Sequence, residues 1–160
     1  SDLQDFVKPF APDKKPVNLP FLLNSVLSEV FIPENILIDN QISKGLLDVP
    51  ADAQLLKRVF VNLVTNAVQA MPEGGKLTVK TTVKNGLNGK SIILIQVKDT
   101  GIGIPEDIKP KMFRPLFTTK SRGQGFGLAV CKRVIEAHGG TITFSSQERK
   151  GTQFTIELPQ

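Results

Sequence analysis

A single aspartate, Asp99, stands at the end of an apolar run over 92–97, and two glycines, Gly101 and Gly103, follow it at alternate positions. Further on, Lys120 and Arg122 precede three more glycines, Gly123, Gly125 and Gly127, which lead into an amphipathic segment starting at Leu128. A carboxylate at a strand end is a hydrogen-bond acceptor. Glycines let backbone approach a ligand closely, and glycines just ahead of a helix expose amide N–H groups where the helix dipole favours anions. Together they suit a ligand with a hydrogen-bond donor at one end and phosphates at the other, which a nucleotide satisfies.

A second constellation lies on the helix predicted over 52–71, with Asp52 as its N-cap. Leu56, Phe60, Leu63, Ala67 and Met71 form an apolar stripe at helical spacing, while Asn62, Asn66 and Gln69 fall at i, i+4 and i+7 on another. Side-chain carbonyls in a row can ligate a hard cation such as Mg²⁺, although a solvated polar face would have the same composition. Val59, Val61 and Val64 beside Leu63 argue that the helix is largely buried.

Composition narrows the chemistry. The chain has 160 residues, about one domain, and its 40 % apolar content is enough for a core. Its net charge of +5 suits an anionic ligand or partner, and equally a solvated basic surface. One cysteine, Cys131, excludes an internal disulfide, and one histidine, His138, argues against a histidine-rich metal site. No apolar run approaches 18 residues, so the chain reads as soluble. Gly89-Lys90-Ser91 is a decoy, because Lys84 occupies the position where a phosphate-binding P-loop needs its first glycine, and a strand follows. Gly101 and Gly103 likewise lack the third glycine of a dinucleotide-binding turn.

The elements that must position these residues read as follows. Residues 1–10 place Leu3, Phe6, Val7 and Phe10 on one helical face, and 11–16 have a linker composition. A short extended piece at 17 leads to a helix after Pro20 that ends before Pro33. Strands are expected at 35–40, 46–49, 76–84 and 91–98, with a hairpin loop at 85–89. Residues 105–124, with three prolines, read as a long loop pinned by Phe113, Leu116 and Phe117. A helix over 127–138 ends at Gly139-Gly140, with His138 as its cap, and strands at 141–146 and 152–158 close the chain. This order predicts an α+β sandwich, a mixed but mainly antiparallel sheet of about five strands with about three helices on one face.

The motifs carry a family resemblance. Asn62-Leu63-Val64-Thr65-Asn66-Ala67 resembles the N box of the GHKL ATP-binding superfamily, and Asp99-Thr100-Gly101-Ile102-Gly103-Ile104 its G1 box. Met112-Phe113-Arg114-Pro115-Leu116-Phe117-Thr118-Thr119-Lys120 resembles the F box of sensor histidine kinases, and Gly123-Gln124-Gly125-Phe126-Gly127-Leu128 the G2 box. Four motifs in order, with His138-Gly139-Gly140 behind them, point to the catalytic and ATP-binding domain of a two-component kinase, with a Bergerat-type sandwich.

The resemblance implies that residues 1–16 end a dimerisation-domain helix and its linker, and that 17–160 form the catalytic domain. It implies ATP and Mg²⁺ as cofactors. Asp99 would accept the adenine amino group, Gly101, Gly103 and Ile104 would pass the base, and Thr152 would support Asp99 or the base. Asn66 would ligate Mg²⁺, with Asn62 and Gln69 near the phosphates. Thr118, Thr119, Lys120, Arg122, Gly123, Gln124, Gly125, Phe126, Gly127 and Leu128 would form the lid and phosphate loop, with Asn62, Lys120 and Arg122 as the catalytic set. The γ-phosphoryl group would pass to a histidine of the dimerisation domain; His138, followed by Gly139, does not fit that acceptor. The implied partners are that domain and a response-regulator receiver domain, with no nucleic acid. The domain would be monomeric and cytoplasmic, in a homodimeric parent with or without a membrane anchor. The alternatives are a protein-serine kinase of anti-sigma type and a non-catalytic nucleotide sensor.

Overall fold

The computed structural model describes residues 11–115 and 127–160. Its strands are β1 (Lys15–Val17), β2 (Ile36–Gln41), β3 (Val49–Ala51), β4 (Gly75–Asn85), β5 (Ser91–Asp99), β6 (Thr141–Gln147) and β7 (Gly151–Pro159). The helices are α1 (Leu19–Glu29), α2 (Ala53–Gln69) and α3 (Leu128–Ala137). Five strands form one sheet in the order β2-β4-β5-β7-β6, with β2 parallel to β4 and every other pairing antiparallel. The expected mixed sheet with three helices is therefore present.

The side-chain period of two explains the two layers. Leu77 and Val79 of β4, Ile93, Ile95 and Val97 of β5, and Phe154, Ile156 and Leu158 of β7 are buried beneath the helices. The intervening residues Lys76, Lys80, Gln96, Lys98 and Gln153 line the open, polar face. There Gln41, and after it Lys76, holds the Asp39 carboxyl below the usual carboxylate range. Helix α2 touches α1, α3 and the central strand β5. Its apolar stripe is buried as its spacing predicts, with Leu56 and Phe60 fully enclosed.

Capping fixes where α2 begins. Asp52 Oδ1 accepts from Leu55 N at 3.3 Å, and Oδ2 accepts from Asp13 N at 3.0 Å. The backbone N–H of Asp52 donates to His138 Nε2 at 3.0 Å, which leaves His138 Nδ1 to donate to the Val134 carbonyl at 2.7 Å. His138 does stand at the end of α3, and it also fastens α3 to the start of α2 in a buried position.

Two expectations need correction. The strand placed at 46–49 is instead Val49–Ala51 and runs through Pro50, pairing with β1 in a separate two-stranded ribbon. Pro50 faces Pro16, and a two-stranded ribbon, whose strands are both edges, tolerates residues that have no N–H to donate. Helix α1 starts at Leu19, one residue before Pro20, because Asn18 caps it by accepting from Phe21 N, and proline is well tolerated in a first turn.

Candidate ATP site

Asp99 is the last residue of β5 and is 5 % exposed. Its Oδ1 accepts from Gly101 N at 2.9 Å and from Thr152 N at 3.3 Å. Thr152 is the cross-strand neighbour of Asp99 on β7 and is itself buried. Two backbone donors thus orient a carboxylate that a buried position would otherwise penalise.

The loop after Asp99 is stitched on both sides. Ile102 N donates to the Ala70 carbonyl at the C-terminal end of α2, at 2.9 Å, and Ile104 N donates to Ser146 Oγ at 2.8 Å. Arg149 N donates to the Ile102 carbonyl at 2.6 Å. Thr100 Oγ1 accepts from Lys76 N at 3.0 Å. Two glycines are dictated by these approaches. A Cβ on Gly101 would lie 2.1 Å from the Ala70 carbonyl oxygen. Gly103 has φ +71°, and a Cβ there would lie 2.2 Å from the Gln147 carbonyl oxygen.

Helix α2 brings its amides to the same end of the molecule. Asn66 lies one turn before Ala70, whose N–H donates to the Asn66 carbonyl at 3.0 Å. Asn66 Nδ2 donates to Asn62 Oδ1 at 2.9 Å. The pair is graded in burial, Asn62 buried and Asn66 partly buried, and Gln69 is exposed. The donated bond uses the Asn66 amide nitrogen and leaves its oxygen as the other end of the group. That oxygen is of the kind Mg²⁺ takes, since the ion prefers hard oxygen donors and keeps several waters. Among the described residues no group of three or more His, Cys, Asp or Glu could hold a metal ion, so an all-protein metal cage is not offered there.

The start of the long loop is anchored. Phe113 packs at 5.7 Å from Phe144 and 6.5 Å from Phe154, with Lys132 Nζ 5.3 Å from its ring centre. Lys109 Nζ, between Glu106 and the Ser146 carbonyl, closes the other side at 2.8 and 2.6 Å. Gly127 caps α3 with no side-chain bond, and Leu128 packs on the core. Leu116, Phe117, Thr118, Thr119, Lys120, Arg122, Gly123, Gln124, Gly125 and Phe126 lie outside the described residues, as do residues 1–10.

Sequence reasoning passed over Thr100, Ser146 and Gly151. A Cβ on Gly151 would sit 2.1 Å from the Asp99 carbonyl oxygen, so this glycine admits the Asp99 backbone against β7. Its signal was its place beside Thr152 after the charged turn. Thr100 and Ser146 gave no signal, because short hydroxyl residues are common on strands and loops.

A buried, backbone-oriented carboxylate at a strand end, next to an amide-bearing helix and a glycine loop, defines a nucleotide-binding α+β sandwich. Residues 51–160 match the family described as histidine kinase-, DNA gyrase B-, and HSP90-like ATPase, and the chain belongs to that family. Within it the chain is an ATP-binding catalytic domain of the histidine kinase type. It is 39 % identical to the sensor histidine kinase ZraS of Escherichia coli over 162 residues, covering 99 % of this chain and 34 % of ZraS. It thus spans about a third of that relative's length. Among solved structures it resembles the catalytic domain of histidine kinase ThkA, with TM-score 0.77 and 34 % identity over 92 % of this chain and 95 % of that one. ThkA has also been crystallised with the response regulator TrrA (TM-score 0.78, 30 % identity, 99 % of this chain and 45 % of that one). Full-length ShkA in complex with AMPPNP matches with TM-score 0.80 and 27 % identity, over 99 % of this chain and 34 % of that one. No helix among the described residues is long and apolar enough to cross a membrane.

Proposed function

We propose that this domain presents Mg-ATP to a histidine on the dimerisation domain of its parent protein and transfers the γ-phosphoryl group to it, the first step of two-component signalling. The observation that carries the proposal is the Asp99 carboxylate, held by Gly101 N and Thr152 N beside the end of α2. That carboxylate accepts the adenine amino group. Guanine offers a carbonyl oxygen at the equivalent position, and setting an acceptor against an acceptor there costs on the order of 1–3 kcal/mol. The AMPPNP bound to ShkA supports an adenine nucleotide as ligand.

Asn66 holds Mg²⁺ through its amide oxygen, and Asn62 holds Asn66 in place through the bond between their side chains. A Mg²⁺ held there would supply charge neutralisation to the phosphates. Lys120, Arg122 and the amide N–H groups of Gly125 and Gly127 hold the β- and γ-phosphates, with Thr118, Thr119, Gly123, Gln124 and Phe126 in the same lid. Positioning and charge neutralisation supply most of phosphoryl-transfer catalysis. Asn62 is not a general base, so the domain does not activate water efficiently and hydrolyses ATP slowly. A neutral imidazole is already a nucleophile and needs no base from this domain. Gln69 is exposed, and where many family members place a lysine it brings no positive charge to the phosphates.

Residues 1–16 lead from the dimerisation helices of a homodimeric parent that works in the cytoplasm into the domain, where Lys15 and Pro16 already pair with β3, and the domain alone is monomeric. The second partner is a receiver domain, in keeping with the ThkA complex with its response regulator.

The parent protein is incubated with ATP labelled on the γ-phosphate, with Asp99→Asn beside it. Acid-labile, base-stable label that disappears in Asp99→Asn is the expected result. Acid-stable label, or no label while ATP still binds, would overturn histidine transfer.

A further inference from the structure

We propose that the open face of the sheet is a docking surface for an acidic protein segment, whose carboxylates meet Lys80 and Lys98. The proposal does not depend on the adenine reading of Asp99, because this face lies on the side of the sheet away from the helices. Its physical basis is a cluster of like charges set by strand register. Thr78 on β4 stands beside Lys98 on β5, and Lys76 and Lys80 flank Thr78 two residues away on either side. Diagonal neighbours of this kind stand roughly 7–8 Å apart. With Asp39 and Gln96 these residues line a shallow hollow of about 260 Å³.

The lysines of this face are not alike. Lys76 Nζ lies 3.4 Å from Asp39 Oδ2, and Lys84 Nζ lies 2.6 Å from Glu157 Oε1. Lys80 and Lys98 are exposed, and among the described residues neither has a carboxylate partner. The hollow therefore holds two uncompensated positive charges, flanked by the half-buried Thr78 and Gln96. Leu94, two residues before Gln96 on the same face of β5, is also half-buried and offers an apolar contact.

The setting selects the kind of occupant. Every side chain lining the hollow is exposed or half-buried, so no buried donor is held ready for a small oxyanion. A continuous phosphate backbone would be opposed by Asp39 and Glu157, and among the described residues the face presents no aromatic ring on which a base could stack. A protein segment brings separate carboxylates for the lysines, and its own donors suit Asp39. In an extended segment, side chains at every second position point the same way about 6.6 Å apart. Carboxylates so spaced span Lys80 and Lys98.

The test uses a short fluorescent peptide that alternates glutamate with threonine. Its comparators are a glutamine–threonine peptide and a single-stranded oligonucleotide of equal charge. Anisotropy measures affinity, and amide shifts locate the contact. The glutamate peptide should bind saturably, weaken as salt screens exposed charges, and shift Thr78 and Gln96, while the glutamine peptide does neither. An exposed ion pair is worth up to about fivefold in affinity. Lys80→Gln and Lys98→Gln should each weaken binding by about two- to fivefold. Lys98→Arg, which keeps the charge, should bind as the native chain does, and so should Lys14→Gln, which removes an exposed lysine beside β1. Mg-ATP affinity, measured by calorimetry, should stay native in all four variants. Absence of saturable binding at low salt would overturn the proposal. An equal loss in Lys14→Gln would do the same, since net charge alone would then explain the binding. Shifts centred away from Thr78 and Gln96, or tighter binding of the oligonucleotide at the same lysines, would also contradict it.

Discussion

At Asp99 the backbone does the orienting and, in the proposed function, the side chain does the choosing. Asparagine there could still accept from Gly101 N and Thr152 N, so Asp99→Asn should fold. Its amide nitrogen would donate where the carboxylate accepts, opposing the adenine amino group. Hydrogen bonds to charged groups are worth about 1.5–3 kcal/mol, so ATP affinity should fall about ten- to hundredfold, as titration calorimetry would show. Asn66→Ala makes a different prediction. ATP binding with excess Mg²⁺ should drop to the level measured in a chelator, while binding in the chelator stays near native. Retained Mg²⁺ dependence would remove Asn66 from the metal. Both residues are legible in the sequence, because a lone acid at a strand end and amides at helical spacing are unusual uses of polar side chains. Ser146 is not legible there: it meets Thr152 through cross-strand register, which sequence spacing does not reveal.

At the scale of elements, Asp52 joins three pieces of chain. It caps α2, accepts from Asp13 N and gives its own N–H to His138. Asp52→Ala should therefore sit at the upper end of cap losses, about 2 kcal/mol in urea unfolding, with ATP affinity per folded molecule unchanged. A loss below about 0.5 kcal/mol would mean that the cap is redundant. Gly101→Ala acts on the boundary between α2 and the Asp99 loop. Its Cβ would strike a carbonyl oxygen rather than a flexible side chain, so the loop must move and ATP binding should weaken more than stability does. The helices were readable because period and caps agree in α2. The β3 ribbon was misplaced because its pairing with β1 is non-local, and Pro50 locally argues against a strand. The bond from His138 to Asp52 spans 86 residues and carries no local signature.

For the whole molecule, ligand and stability are linked. A ligand that binds the folded state alone, at about a hundred times its Kd, adds about 2.7 kcal/mol. In a chain of this size each kcal/mol raises Tm by about 2–4 °C, so saturating Mg-ATP should raise it by about 5–10 °C. Asp99→Asn should melt near the native temperature without nucleotide and show a much smaller rise at the same ATP concentration. Equal rises would place the nucleotide away from Asp99. The two-layer architecture makes this separation clean, because the proposed site lies on the helical side at one end of the sheet and the polar open face lies opposite.

Location is the central claim, and amide nitrogen–proton correlation spectra of this chain titrated with Mg-ATP test it most directly. The account predicts that the largest shifts fall on Asn66, Gly101, Gly103 and Thr152, while Thr78 and Gln96 on the open face stay still. Shifts centred on the open face, with Gly101 and Thr152 unmoved, would contradict it.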